Sequence, residues 1–340
     1  MLDIDGINKL ILWLKWRNNM VNIIIPYYND KKGIQEALES LKNQTKKMFI
    51  VTIVDDNSPE DIQEIVNNFN TTLNIKYIRK QINEGPGAAR QYGINSCLPS
   101  IDYIMFLDSD DILYPRAVEM LYREAKLNNA DIVASDIMVE KQHDSGKVMK
   151  AEDSTTWTHG KIYKKSFLEK NNIYFFKEIR YNEDAAFNLI AYELAERKFF
   201  LPEITYLWRD NKQSLTRRNR IEFVKKNNYL YILGQCKAIL KIASIKKDIK
   251  NLIYTIENIY NQYQFELYYE NDTSEEDKLI FDVLNNPRIV EIFDDKKVRK
   301  AIGTNTRGGS VFDDVVVVYR QTFLDWVKQY NKEIKDKLWK

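Results

Sequence analysis

Cysteine is nearly absent from this chain: Cys97 and Cys236 are the only two in 340 residues, and they stand alone. That excludes a disulfide framework and a cysteine-based metal site, and it fits a reducing cytosol. An excess of one charge is missing as well, with 51 Lys and Arg against 49 Asp and Glu. Nothing in that balance demands nucleic acid or an anionic membrane as a partner. No apolar run is long enough to span a bilayer, and no signal-peptide pattern precedes a small-residue cleavage site. Internal repeats and low-complexity linkers are lacking too. What remains is a globular composition, 44 % hydrophobic and rich in aromatics, on a chain long enough for two cores.

The first twenty residues read as an N-terminal extension, because Val21 begins the first strand and Met20 can serve as a start. Within it, Leu10 to Arg17 is apolar with Trp and basic residues at one end. Such a helix can pack on its own domain or make peripheral contact with a membrane interface. The expected location is cytoplasmic, with the inner membrane face as the place of any such contact.

Five β-rich runs follow, at Val21–Ile25, Phe49–Val54, Ile75–Ile78, Tyr103–Leu107 and Ile132–Ala134. They are almost continuously apolar, as expected of strands covered on both faces. Helical stripes lie between them: Ile34, Ala37, Leu38 and Leu41 in one, Ile62, Ile65, Val66 and Phe69 in the next. Ser58 as N-cap and Pro59 at the first position predict the start of the second helix. Further helices are expected over about 86–96 and 115–128. Alternating strand and helix means an α/β fold with a mostly parallel sheet and right-handed crossovers.

Open sheets of that kind bind ligands beyond the carboxyl ends of their strands. Three strand ends carry unusual residues: Pro26 to Asn29, Asp55 to Ser58, and Asp108-Ser109-Asp110-Asp111. Three carboxylates within four positions raise one another's pKa unless a cation sits among them, and such oxygen donors suit Mg²⁺ or Mn²⁺. The plainer alternative is a surface turn with Asp111 at a helix start. The loop Asn83 to Arg90 contains Gly85-Pro86-Gly87, a turn that lets backbone approach a ligand. Arg90 can pair with phosphate or with an acidic strand end.

Residues 136–156 read as polar and irregular, and Trp157 to Tyr163 leads into another helix. Tyr181 to Phe187 then opens a helix with Asn182 as its cap and Phe187, Ile190 and Leu194 on its apolar face. Glu183 and Asp184 are explained either as acidic residues in a first turn or as a general base facing a cleft. Beyond about residue 220 the chain reads as helical. The aromatics between Tyr254 and Tyr269 fit helix packing, residues 305–309 a loop, and Val315 to Val318 a strand or a buried helix.

Taken together and in this order, Ile23 to Asn29, Ile53 to Ser58, Asn83 to Arg90, Phe106 to Asp111 and Asn182 to Asp184 resemble the family 2 glycosyltransferases of the GT-A fold. The resemblance covers about residues 21–216. It implies a Rossmann-like sheet flanked by helices, a catalytic domain over 21–220 and a mainly helical domain over 221–340 for acceptor binding or oligomerisation. It also implies inverting hexosyl or N-acetylhexosaminyl transfer from a nucleotide sugar, UDP-linked in most relatives, to a glycan or glycolipid acceptor in surface polysaccharide synthesis.

By the same resemblance Pro26, Tyr28 and Asp56 hold the base and Asp108 reaches the ribose, with Ser109, Arg90 and Lys161 also on the donor. Asp110 is the metal ligand of a DXD motif, with Asp108 and Asp111 in support, for Mn²⁺ or Mg²⁺. Asp184 is the base and Glu183 its helper, while Trp157, His159 and Lys161 border the sugar and acceptor pockets. His159 is equally explained as a satisfied, half-buried histidine.

One departure stands out, since Asn211 occupies the position of a histidine that completes the metal shell in many relatives. Lys212, Arg217 and Arg218 offer a different way to neutralise a diphosphate. Three other readings compete: a non-catalytic sugar-nucleotide or glycan-binding module, a sugar nucleotidyltransferase, and a glycosyltransferase acting on nucleic acid. The third rests on the basic stretch from Arg209 to Lys226, which is more ordinarily a solvated helix face.

Overall fold

The computed structural model describes residues 21–140, 147–151, 156–211, 220–268, 271–294, 327 and 330. The expectations for residues 1–20 and 305–323, and for Lys212, Arg217 and Arg218, lie outside them. The chain divides into two compact units, Met1–Arg218 and Asn219–Lys340.

The first unit runs β1 (Val21–Tyr27), α1 (Lys31–Lys42), β2 (Phe49–Asp55), α2 (Gln63–Phe69), β3 (Ile75–Arg79), α3 (Pro86–Asn95) and β4 (Tyr103–Phe106). It continues with β5 (Ile112–Leu113), α4 (Ala117–Leu127), β6 (Ile132–Glu140), β7 (Val148–Ala151), β8 (Lys161–Lys164), α5 (Lys165–Lys170), α6 (Glu183–Leu194) and β9 (Lys198–Trp208). The strands form one sheet in the order β3-β2-β1-β4-β8-β6-β9-β5, with β7 on β6. The half from β3 to β4 is wholly parallel, and β6 and β9 also pair in parallel. Beyond β4 the remaining ladders are antiparallel.

Every residue of β1 and β2 is buried, as their continuous apolar runs require. Ile23, Ile25, Val51 and Ile53 form the core with the α1 stripe of Ile34, Ala37, Leu38 and Leu41. Each such side chain contributes roughly 2 kcal/mol by leaving water. Pro26 is tolerated in a central strand because the β1·β4 ladder ends at Ile24 and Phe106, before the missing N–H is needed.

Three local expectations change. The second helix starts at Gln63 rather than Pro59, because Ser58 is engaged elsewhere: its Oγ accepts from the Asn29 N–H at 3.0 Å. Much of the stretch read as irregular is a hairpin, with Ile137–Glu140 of β6 against Val148–Ala151 of β7. Residues 161–164 form a strand before the expected helix begins, inserted antiparallel between β4 and β6.

The second unit comprises α7 (Arg220–Ile245), α8 (Leu252–Tyr268), α9 (Ser274–Leu284) and α10 (Pro287–Asp294). Tyr260 and Tyr263 are buried in its core as expected, whereas Tyr254 is 45 % exposed. Among the described residues no helix is long and apolar enough to cross a membrane.

Candidate active site

Parallel pairing puts the carboxyl ends of β1, β2 and β4 on one edge of the sheet. Tyr28 follows β1 and is 51 % exposed there, while Pro26 is buried behind it. Asp56 follows β2 and is buried. Its carboxylate pairs with Lys80, just beyond β3, and accepts from the N–H groups of Glu84 and Gly85 at 3.1 and 2.6 Å. Asp56 therefore shapes the loop that leads into α3. Lys80 gave no local signal in the sequence, because its partner lies on another strand.

Asp108 leaves β4 with one oxygen accepting from Arg90 Nη2 at 2.5 Å and the other 3.2 Å from His159 Nε2. Burial opposes ionisation, but the Arg90 charge and the His159 contact outweigh it and hold Asp108 well below the usual carboxylate range. Asp110 behaves oppositely: burial and the Asp108 charge raise it, although Asn211 Nδ2 donates to its Oδ2 at 2.9 Å. The same amide donates to Asp30 Oδ2 at 3.2 Å, which brings in a carboxylate that had no expected role. Ser109 lies against α1, where a Cβ on Gly33 would come within 2.8 Å of its carbonyl oxygen.

Asp111 is 1 % exposed and does not start a helix. Its oxygens accept from the Tyr206 hydroxyl at 2.6 Å and the Arg209 N–H at 2.9 Å, and burial with the Asp110 and Asp108 charges raises its pKa well above normal. His159 is buried in an aromatic box, stacked on Tyr206 at 4.6 Å and edge-on to Trp208 at 5.2 Å. Its Nδ1 is buried without a hydrogen-bond partner among the described residues. Lys161 is also buried, with its Nζ 3.4 Å from the His159 carbonyl oxygen.

The ligand atoms of Asp108, Asp111 and His159 lie within 4.8 Å of one another. Asp110 stands beside that group, held by the Asn211 amide. Crowded oxygen donors with His159 Nε2 3.2 Å from Asp108 and 3.9 Å from Asp111 fit a divalent cation. They also leave negative charge that a cation would relieve.

Close to the tip of β4, through the Arg90 link from Asp108 to Glu183, α6 begins with Glu183 and Asp184. Asn182 holds the cap position in the left-handed region (φ 52°), but its side chain makes no capping bond. Glu183 Oε1 accepts from Arg90 Nη1 at 2.6 Å. Burial, then the Glu183 charge, push Asp184 up to about 7, against the pull of Arg90. A carboxylate poised near neutrality is suited to taking a proton. Of the two uses foreseen for Arg90, the structure displays the pairing with an acidic strand end.

Residues 22–185 match the family model described as Glycosyl transferase family 2. The chain is 31 % identical over 221 residues to the uncharacterized glycosyltransferase EpsJ of Bacillus subtilis, covering 58 % of this chain and 63 % of that protein. It is 30 % identical over 192 residues to the poly(ribitol-phosphate) beta-glucosyltransferase of Bacillus spizizenii, covering 52 % and 30 % respectively. The match thus spans less than two thirds of either relative. The crystal structure of S. aureus TarS 1-349 in complex with UDP-GlcNAc superposes with a TM-score of 0.59 at 18 % identity, covering 92 % of this chain and 88 % of that one. The fold is accordingly the GT-A type seen in TarS, with a helical C-terminal region.

Proposed function

From the family 2 glycosyl transferase domain over residues 22–185, we propose that this chain is an inverting, nucleotide-sugar-dependent glycosyltransferase with a UDP-linked hexose or N-acetylhexosamine as donor. The observation that carries the reading is the pairing of Arg90 with both Asp108 and Glu183. It brings a strand-tip carboxylate and the start of the Asp184 helix together.

In this reading Tyr28, Pro26 and Asp56 hold the base, with the exposed Tyr28 ring as the stacking surface. Asp184 removes the proton from the acceptor hydroxyl. The freed oxygen bonds to the anomeric carbon from the face opposite the nucleotide. The bond from that carbon to the diphosphate oxygen breaks, and its electron pair leaves with UDP. Asp108, Asp110, Asp111 and His159 are the side chains that would hold Mn²⁺ or Mg²⁺, whose chemistry there is to neutralise the diphosphate. The acceptor is proposed to be a surface glycan or a polyol phosphate of the kind named for the Bacillus spizizenii relative. Residues 221–340 are assigned to acceptor binding or self-association.

The test is UDP release from UDP-glucose and UDP-N-acetylglucosamine, with Mn²⁺, in the presence and absence of poly(ribitol phosphate). Acceptor-stimulated UDP release that disappears in Asp184→Asn is expected. Donor binding without any UDP release would favour a binding module, and pyrophosphate release from UTP and a sugar phosphate would favour a nucleotidyltransferase.

A further inference from the structure

Arg90 sits in the second turn of α3, almost fully buried, between two carboxylates far apart in sequence. Nη1 donates to Glu183 at 2.6 Å and Nη2 to Asp108 at 2.5 Å, so both ends of the guanidinium fork are committed inside the protein. The Phe175 ring lies 5.8 Å from its central carbon. A ligand for the donor phosphates would need free N–H groups, and here Nη1 and Nη2 both donate to protein carboxylates.

The neighbouring backbone is shaped for the same pairing. A Cβ on Gly87, one turn earlier in α3, would come within 2.7 Å of Glu183 Cγ and 3.1 Å of its Cβ. The missing side chain is what lets the first turn of α6 approach Arg90. Glu183 and Asp108 are mostly buried, and either would be left as an uncompensated charge if the guanidinium were removed.

We propose that Arg90 is a positioning residue: it clamps the first turn of α6 to the tip of β4 and so holds Asp184 at its working distance from the reacting centre, instead of gripping the donor phosphates. The proposal rests on the reading of Asp184 as the base. It acts through geometry, since a displacement of about 1 Å in a reacting group costs roughly 100-fold in rate.

The experiment measures kcat, donor KM and the Kd for UDP with Mn²⁺ in wild type, Arg90→Ala, Arg90→Lys and Asp184→Asn. A positioning role predicts a kcat loss of about 100-fold in Arg90→Ala, with donor KM and UDP Kd near wild type. Added guanidinium should restore part of that kcat, because it can refill the space between the two carboxylates. Arg90→Lys should stay impaired, since one ammonium cannot replace a fork with two separate partners. A weakening of UDP binding by about tenfold or more with kcat preserved at saturating donor would overturn the proposal and return Arg90 to the phosphates. Should Arg90→Ala not fold, the same split between kcat and UDP Kd is read in Arg90→Lys. If Asp184→Asn retains turnover, the base assignment fails; if Asp184→Asn is inactive while Arg90→Ala keeps its kcat, only the clamp fails.

Discussion

Replacing Asp184 by Asn should make the protein both inactive and more stable at alkaline pH. The Asp184 carboxyl is raised from 3.8 to about 7, first by burial and then by the Glu183 charge. The full displacement corresponds to about 4 kcal/mol, and screening at this partly exposed side chain reduces it to about 2 kcal/mol. The sign follows from proton linkage: the folded state holds the proton more tightly than the unfolded chain does. The associated stability is complete below about pH 4 and is lost as pH rises through about 7. Asn carries no such charge, so its advantage should open between those values and stay level above them. At pH 8 about 2 kcal/mol translates to a Tm higher by about 4–8 °C for a unit of this size, with little difference near pH 4. Turnover should fall by about 100-fold or more through loss of the base. Thermal melts across this pH range, run beside the UDP-release assay, decide the matter. An Asn variant that melts no higher than wild type at pH 8, or that keeps its turnover, refutes the reasoning.

Asp110→Ala should weaken Mn²⁺-dependent UDP binding by about tenfold or more, read by calorimetry with and without the metal; unchanged titrations would remove Asp110 from the metal site. Lys80→Met leaves the Asp56 carboxylate buried without its cation, and should destabilise the first unit by about 3 kcal/mol in urea unfolding. A neutral result there would mean that the Glu84 and Gly85 N–H groups suffice. In the helical unit Glu276 is 1 % exposed, and burial chiefly raises it from 4.5 to about 7. Here too the proton is held more tightly in the folded state, so stability falls as pH rises through about 7. Glu276→Gln should therefore add about 2 kcal/mol at pH 8 but not at pH 4, by circular dichroism melts, and equal melting at pH 8 would count against this account.

The parts of the fold that could be read from the sequence were those whose pattern is local. The unbroken apolar runs of β1, β2 and β4 and the stripe on α1 identify themselves, because burial on both faces or on one face leaves a period in the chain. The carboxylates that end those strands were legible for the same reason, since they interrupt the run. The start of α2 departs from the local rule because Ser58, a good cap by sequence, is engaged by Asn29 across the strand tips. The β6–β7 hairpin leaves a weak local signature, since its outer strand is only four residues long, mostly exposed, and lacks an alternation of apolar and polar residues. Arg90 with Glu183, Asp56 with Lys80, and the box of His159, Tyr206 and Trp208 all join segments distant in sequence. No window along the chain contains both partners, so only the folded arrangement reveals them.

Asparagine at position 211 has a consequence for how the cleft answers to acidity. Its amide holds Asp110 and Asp30 together with a group that gains and loses no proton at physiological pH. An imidazole in that place would switch charge near neutrality and loosen or tighten its grip as it did so. Here that restraint is indifferent to proton concentration, and the pH response of the pair rests with the Asp110 carboxyl, which burial and the Asp108 charge raise.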